Sequence, residues 1–166
     1  MLLGCSTPTQ AGNDNRAPEV PAALQVPGGN KVSFHVYAVG VQIYVATASA
    51  NSPTGYGWTF RAPEATLYDP DGNVVGLHYA GPTWETESGS KVGGARVAGA
   101  TPNANAIPWL LLQATSTQGS GILAHTTYIQ RVNTTGGLAP AIPPVQPGQE
   151  TSIPYTAEYF FFRDAR

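Results

Sequence analysis

Polar and apolar residues alternate along short stretches of this chain, and glycine or proline interrupts each stretch before it lengthens. Val32, Phe34 and Val36 share one face, with Ser33, His35 and Tyr37 on the other. That period of two is the mark of a half-buried strand. Gly40 punctuates the run, and Val41-Gln42-Ile43-Tyr44-Val45 reads as a second strand and its hairpin partner. Residues 58–61 form a third, ended by Pro63. Residues 65–68 run into Asp69-Pro70-Asp71-Gly72-Asn73, a turn by virtue of its proline, its Asp-Gly pair and its asparagine. Residues 74–79 return from it. Residues 83–86 and 91–92 flank Glu87-Ser88-Gly89-Ser90, which reads as another hairpin. The apolar run Trp109-Leu110-Leu111-Leu112 predicts a strand buried on both faces. A β-prone stretch at 125–132, a proline-rich crossing at 140–148 and an aromatic strand at 155–162 complete the chain. No helical template fits for more than two turns. Some ten short strands spaced 8–14 residues apart predict an all-β fold, a single antiparallel β-sandwich or flattened barrel, over residues 28–166.

Residues 1–27 carry neither periodicity. Pro8, Pro18, Pro21 and Pro27 lie among Thr, Gln, Asn, Asp and Ala, the composition of a disordered or extended tether with at most a marginal short helix near 21–24. At its head, Leu2-Leu3-Gly4-Cys5 resembles the lipobox of bacterial lipoproteins, in which the cysteine thiol receives a diacylglycerol. Only Met1 precedes the box, whereas a working signal has a basic start and an apolar run of about 7–15 residues, so it reads as a truncated remnant. The resemblance implies lipidation at Cys5, membrane attachment through that lipid, and export to the periplasm or outer envelope. Cys5 is also the only cysteine, so no intrachain disulfide forms. No other stretch approaches the roughly 18 apolar residues of a membrane span.

Composition narrows the function classes. Only 11% of residues are charged, against roughly a quarter in average soluble proteins, which argues against helix bundles. Two lysines and six arginines at net charge −2 cannot line a phosphate track, so no nucleic-acid partner is expected. The charges stand singly at strand ends and turns, which leans toward a surface that meets a protein partner or a membrane complex.

Several motifs in order carry a further resemblance. They are Gly40-Val41-Gln42-Ile43-Tyr44, residues 58–63, Gly76-Leu77-His78-Tyr79-Ala80-Gly81-Pro82-Thr83-Trp84-Glu85 with Gly89-Ser90-Lys91-Val92, Ile107-Pro108-Trp109-Leu110-Leu111, and residues 127–131 with Gly136-Gly137. Over residues 24–163 the chain resembles the domain-of-unknown-function family numbered 3455, found in exported bacterial and fungal proteins. The resemblance implies an exported β-rich domain and assigns no activity. Many members carry a cysteine just after the Gln-Ile-Tyr motif and another before the last strand. Ala46 and residues 141–145 stand there in this chain, so that bridge is absent.

Candidate chemistry gathers at 78–85. His78, Tyr79, Trp84 and Glu85 offer a base, two aromatic faces and a carboxylate where two glycines and a proline bend the backbone. Imidazole titrates near neutral pH and a carboxylate can orient it, so His78 and Glu85 are the candidates for acid–base catalysis. The plainer reading has them satisfying loop groups while Trp84 packs an edge. Tyr56, between Gly55 and Gly57, is the best candidate for an exposed ring, with Trp58 and Trp109 assigned to the core. Tyr56, His78, Tyr79, Trp84 and Glu85 form the expected contact set for a ligand or partner. A partly buried Arg131 calls for a carboxylate such as Glu64, Asp69 or Glu85, as a structural pair rather than a substrate clamp. His35, His78 and His125 match no local metal motif, so neither a metal nor a cofactor is expected. There is no Gly-x-Ser-x-Gly elbow and no dinucleotide glycine fingerprint. The leading expectation is an exported, lipid-anchored accessory or binding domain that contacts a protein partner or envelope polymer. The alternatives are a small hydrolase or isomerase using His78 and Glu85, assisted by Tyr44 or Arg131, and a peripheral subunit of a membrane protein assembly.

Overall fold

Gly40 does not turn the chain. In the computed structural model, which describes residues 16–166, Asn30–Ala48 is one long strand, β1. A Cβ at residue 40 would collide with the Glu64 carbonyl oxygen and lie 2.5 Å from Ala65 Cα. The neighbouring strand therefore approaches this closely because residue 40 has no side chain. That neighbour, β2 (Tyr56–Tyr68), likewise runs straight through Pro63. Pro63 pairs with Gln42 of β1, while pairing on the other side of β2 begins only at Ala65. Its missing N–H falls where β2 is still a free edge, the place in a sheet that tolerates proline.

Merging those two pairs of expected strands reduces ten to eight. After β2 come β3 (Val74–Tyr79), β4 (Thr83–Thr86), β5 (Lys91–Ala100), β6 (Trp109–Gln118), β7 (Thr126–Gly136) and β8 (Glu150–Asp164). Each pairs antiparallel with the next, and β8 pairs with β1 from Asn30↔Asp164 to Val45↔Glu150. The fold is thus a closed up-and-down barrel rather than a sandwich.

Closure gives every strand an inside and an outside, and period-two alternation sorts residues between them. Val36, Ala38, Leu67, Trp84, Leu112 and Phe161 belong to the interior cluster. In β8 the four consecutive aromatics split by parity. Tyr159 and Phe161 enter the interior, while Phe160 and Phe162 join Val32 and Val132 in a second cluster on the outer face. The loop joining β6 to β7 covers one end of the barrel: Leu123 is fully buried in the interior cluster, and its N–H donates to Ser90 Oγ at 3.1 Å.

The described part of the expected tether is docked rather than free. Val20 and Val26 pack on the outer cluster beside Trp109 and Tyr128. A single 3-10 turn, Ala22–Leu24, contacts β5 and β6. Leu24 is 0% exposed, and its carbonyl accepts a 2.7 Å hydrogen bond from Gln130 Nε2. This strap explains why the Trp109–Leu112 run is apolar on both faces. Leu110 and Leu112 serve the interior, and Trp109 serves the strap.

Truncating Leu24 removes the strap's only fully buried side chain. Leu24→Ala is expected to lower unfolding free energy by about 2–4 kcal/mol, measured by urea titration followed by circular dichroism. A loss below about 0.5 kcal/mol would mean that the strap contributes nothing to the folded state.

Candidate functional site

The barrel end opposite Leu123 is where β1 stops and β2 starts, and there the wall is uneven. β1 and β2 run on past the short β3–β4 hairpin, which turns back at residues 80–82. Gly81 adopts φ +145°, and a side chain there would clash with Thr83 Oγ1, so this turn needs glycine. Behind it lies a cavity of about 490 Å³, within the usual range for a small-ligand site. Its walls come from β1 (Gln42, Tyr44), the free half of β2 (Phe60), the hairpin, the loop before β6 (Ile107, Pro108) and the inner faces of β6 to β8.

His78 and Trp84 are cross-strand partners on β3 and β4, both inside the barrel. Their rings stack at 4.5 Å and 14°, and the His78 ring lies 5.0 Å from that of Tyr159. His78 Nδ1–H donates to the Thr83 carbonyl at 2.8 Å, which fixes the tautomer and leaves Nε2 as an acceptor. His78 is 3% exposed. Burial lowers its pKa to about 3; the Thr83 bond opposes that shift, and the positive charge of Arg131 adds to it.

Glu85 faces the other way. Its register partner on β3 is Leu77, which is 54% exposed. Glu85 Oε2 accepts a 2.7 Å hydrogen bond from Tyr79 Oη, and its other oxygen lies 3.5 Å from Lys91 Nζ. The expected contact set therefore divides across the sheet, with His78 and Trp84 inside and Tyr79 and Glu85 outside. Tyr56 stands apart at the start of β2, half-buried, opposite Ala48. The tryptophan assignments reverse as well. Trp84, at 1% exposure, is the core residue, whereas Trp58 is only half-buried and donates to the Ile142 carbonyl, and Trp109 packs outside the barrel. Cys5 lies outside the described residues.

Arg131 enters the cavity without a carboxylate. Its Nε and Nη2 both donate to the Pro108 carbonyl, at 3.0 and 2.9 Å, and among the described residues it forms no ion pair. Of the partners expected for it, Glu64 is exposed beside an outer groove and Asp69 caps the turn at the other barrel end. Glu85 is on the outer face. Burial raises the pKa values of the Tyr44, Tyr155 and Tyr159 hydroxyls, and the charge on Arg131 opposes that rise in all three. Tyr44 Oη donates to the Gly137 carbonyl at 2.5 Å and so ties the β7–β8 loop to the mouth.

Among the described residues, two further donors in the wall, Gln42 Nε2 and Trp84 Nε1, are buried without a well-formed hydrogen bond, although Gln42 interacts with the Tyr155 side chain. Gln42 is 2% exposed, a polar residue at an inward position of an apolar strand. That anomaly was visible in the Val-Gln-Ile-Tyr-Val run. Arg61 and Arg96 also reach the cavity, Arg61 already paired with Glu150. The other histidines are elsewhere. His35 Nε2–H donates to Glu158 at 2.9 Å on the outer face, and His125 lines a separate hollow with Lys31 and Arg163. The hydrogen bond from His35 is the main reason that the Glu158 carboxyl sits below the ordinary carboxylate range.

Fold and cavity together define a closed antiparallel β-barrel with a ligand-sized chamber at one mouth. The chain belongs to the family described as a protein of unknown function, DUF3455, which matches residues 27–163. No curated protein and no solved structure matches it.

Burial of neutral His78 makes stability depend on pH. Between about 3 and 6.5 the unfolded chain holds a proton on His78 that the folded chain does not. Stability is therefore complete above pH 6.5 and falls as pH drops through that window, by up to about 1.4 kcal/mol per unit. Glu158 acts lower, because a carboxylate with a depressed pKa loses its contribution only below its ordinary value of 4.5. His78→Phe keeps a ring against Trp84, and urea titrations between pH 4.5 and 6 should show a flatter slope for the variant. Identical slopes would show that His78 is not held neutral.

Proposed function

We propose that this chain is a non-catalytic binding domain that holds a small ligand in the mouth of its barrel. The observation that carries the reading is the cavity itself: about 490 Å³, walled largely by aromatic and apolar side chains, with two buried donors that lack a well-formed hydrogen bond among the described residues. Buried polar groups are ordinarily satisfied, so these two donors are available to a ligand in the chamber. The hydrolase or isomerase alternative has less support. A general base works best with a pKa near the operating pH, and His78 is far below it with Glu85 across the sheet.

The binding reading includes the expected export and lipid anchorage through Cys5. Acylation there would hold the barrel at an envelope membrane while the mouth samples its surroundings. A protein partner, including a membrane assembly, has one specific support. Val39 and Leu77, 53% and 54% exposed, flank a shallow groove on the outside of β1 to β3.

Ligand capacity is tested with N-phenylnaphthylamine, a neutral probe that fluoresces when taken into apolar chambers. One-site uptake with energy transfer from tryptophan is expected. In Trp84→Phe the transfer should fall by more than half while uptake persists. A folded barrel that takes up no probe would overturn the binding reading. For the anchor, Cys5→Ser should abolish incorporation of labelled fatty acid in bacterial cells expressing the full-length precursor; undiminished labelling would remove the lipid from the proposal.

A further inference from the structure

From the charges around the mouth we infer the class of ligand: a small organic anion, carrying a carboxylate, sulfonate or phosphate head on an apolar body. This inference rests on the binding reading above and adds the sign of charge to it. Three arginines, Arg61, Arg96 and Arg131, line the cavity, and among the described residues no Asp or Glu lines it. In a chain with only eight basic residues, that is a concentration of positive charge at one site. Arg61 is neutralised by Glu150 at the rim. The other two are not: among the described residues neither Arg96 nor Arg131 forms an ion pair.

Arg131 is the informative one. A partly buried guanidinium without a counter-charge is costly, and proteins ordinarily supply a carboxylate. Among the described residues Arg131 meets only neutral partners: the Pro108 carbonyl, which accepts from Nε and Nη2, and the Tyr159 hydroxyl, so its charge is unmatched. The influence of Arg131 on Tyr44, His78 and Tyr159 shows its field spread through the chamber. Gln42 Nε2 and Trp84 Nε1 add two donors to the same wall that lack a well-formed hydrogen bond among the described residues. The unmet needs of the site are therefore a negative charge and hydrogen-bond acceptors. An anionic head supplies both, and guanidinium groups recognise such heads through charge-assisted hydrogen bonds. The remaining wall, from Tyr44, Phe60, Ile107, Leu110, Leu112 and Tyr159, suits an apolar body.

The test compares two probes of nearly one shape. Anilinonaphthalene sulfonate is N-phenylnaphthylamine with a single added sulfonate, and both are titrated by fluorescence into the full chain at low ionic strength. The sulfonate is expected to bind about tenfold or more tightly than the neutral probe. Arg96→Gln, which breaks no side-chain hydrogen bond or ion pair among the described residues, should cut that preference about threefold, and adding Arg131→Gln should abolish it. A rise in melting temperature with added sulfonate confirms that the folded barrel is the binding form. Should Arg131→Gln loosen the loop and prevent folding, Arg96→Gln alone decides. Equal affinities, or a preference for the neutral probe, overturn the anion assignment and leave the binding reading standing. A sulfonate preference untouched by Arg96→Gln also overturns it, because the anion then binds elsewhere. Uptake of neither probe overturns both.

Discussion

The ladder between the first and last strands is the constraint on which everything else depends. While β1 and β8 remain unpaired, the sheet has two free edges and no interior. Once Asn30↔Asp164 through Val45↔Glu150 are matched, each residue on the wall is committed to one of two environments. Such long-range pairing must overcome the entropy of closing a loop almost as long as the chain. Both partners answer with length and bulk. They are the two longest strands of the barrel, and the aromatic run of β8 fills both of the faces that closure creates.

The same commitment explains why the strands were legible in the sequence and the site was not. Alternation, apolar runs and turn residues marked every strand, but only the first two residues of β5 (Lys91–Ala100) were expected, and Gly40 and Pro63 imitate punctuation inside β1 and β2. Glycine there relieves a close approach between strands, and proline occupies a free edge. Both are tertiary conditions that no local pattern announces. The His78–Glu85 pairing failed for a subtler reason. In a hairpin, register decides which residues share a face, and a one-residue slip exchanges the two sets. The turn at 80–82 sets His78 opposite Trp84 and Leu77 opposite Glu85, so nearness in sequence becomes separation by the sheet. The strap was illegible because it is anchored by Leu24, Val20 and Val26 at no regular spacing. The chamber was illegible because Gln42, Arg96 and Arg131 meet only after closure. Its one foreshadowing was Gln42, polar where its strand is otherwise apolar.

Low overall charge acquires a meaning from this geometry. In a chain with many acidic residues, an arginine facing the interior has carboxylates on neighbouring strands within reach. Here the acids near the hairpin are occupied outside: Glu85 by Tyr79 and Lys91, and Glu158 by His35 and Asn133. The positive mouth exists partly because the scaffold is so sparing with charge elsewhere.

Arg131 does two jobs with one side chain, and that has a consequence for how the chamber can diverge. Its guanidinium fastens the loop at Pro108 and also sets the polarity of the cavity. Replacing it alters the loop and the proposed ligand site together, so selection acting on one is burdened by the other. Among the described residues the Arg96 side chain forms no hydrogen bond or ion pair, which leaves it freer to vary. If the proposed site is a ligand site, barrels of this family that change its specificity should drift first at position 96, with position 131 the last of the pair to change.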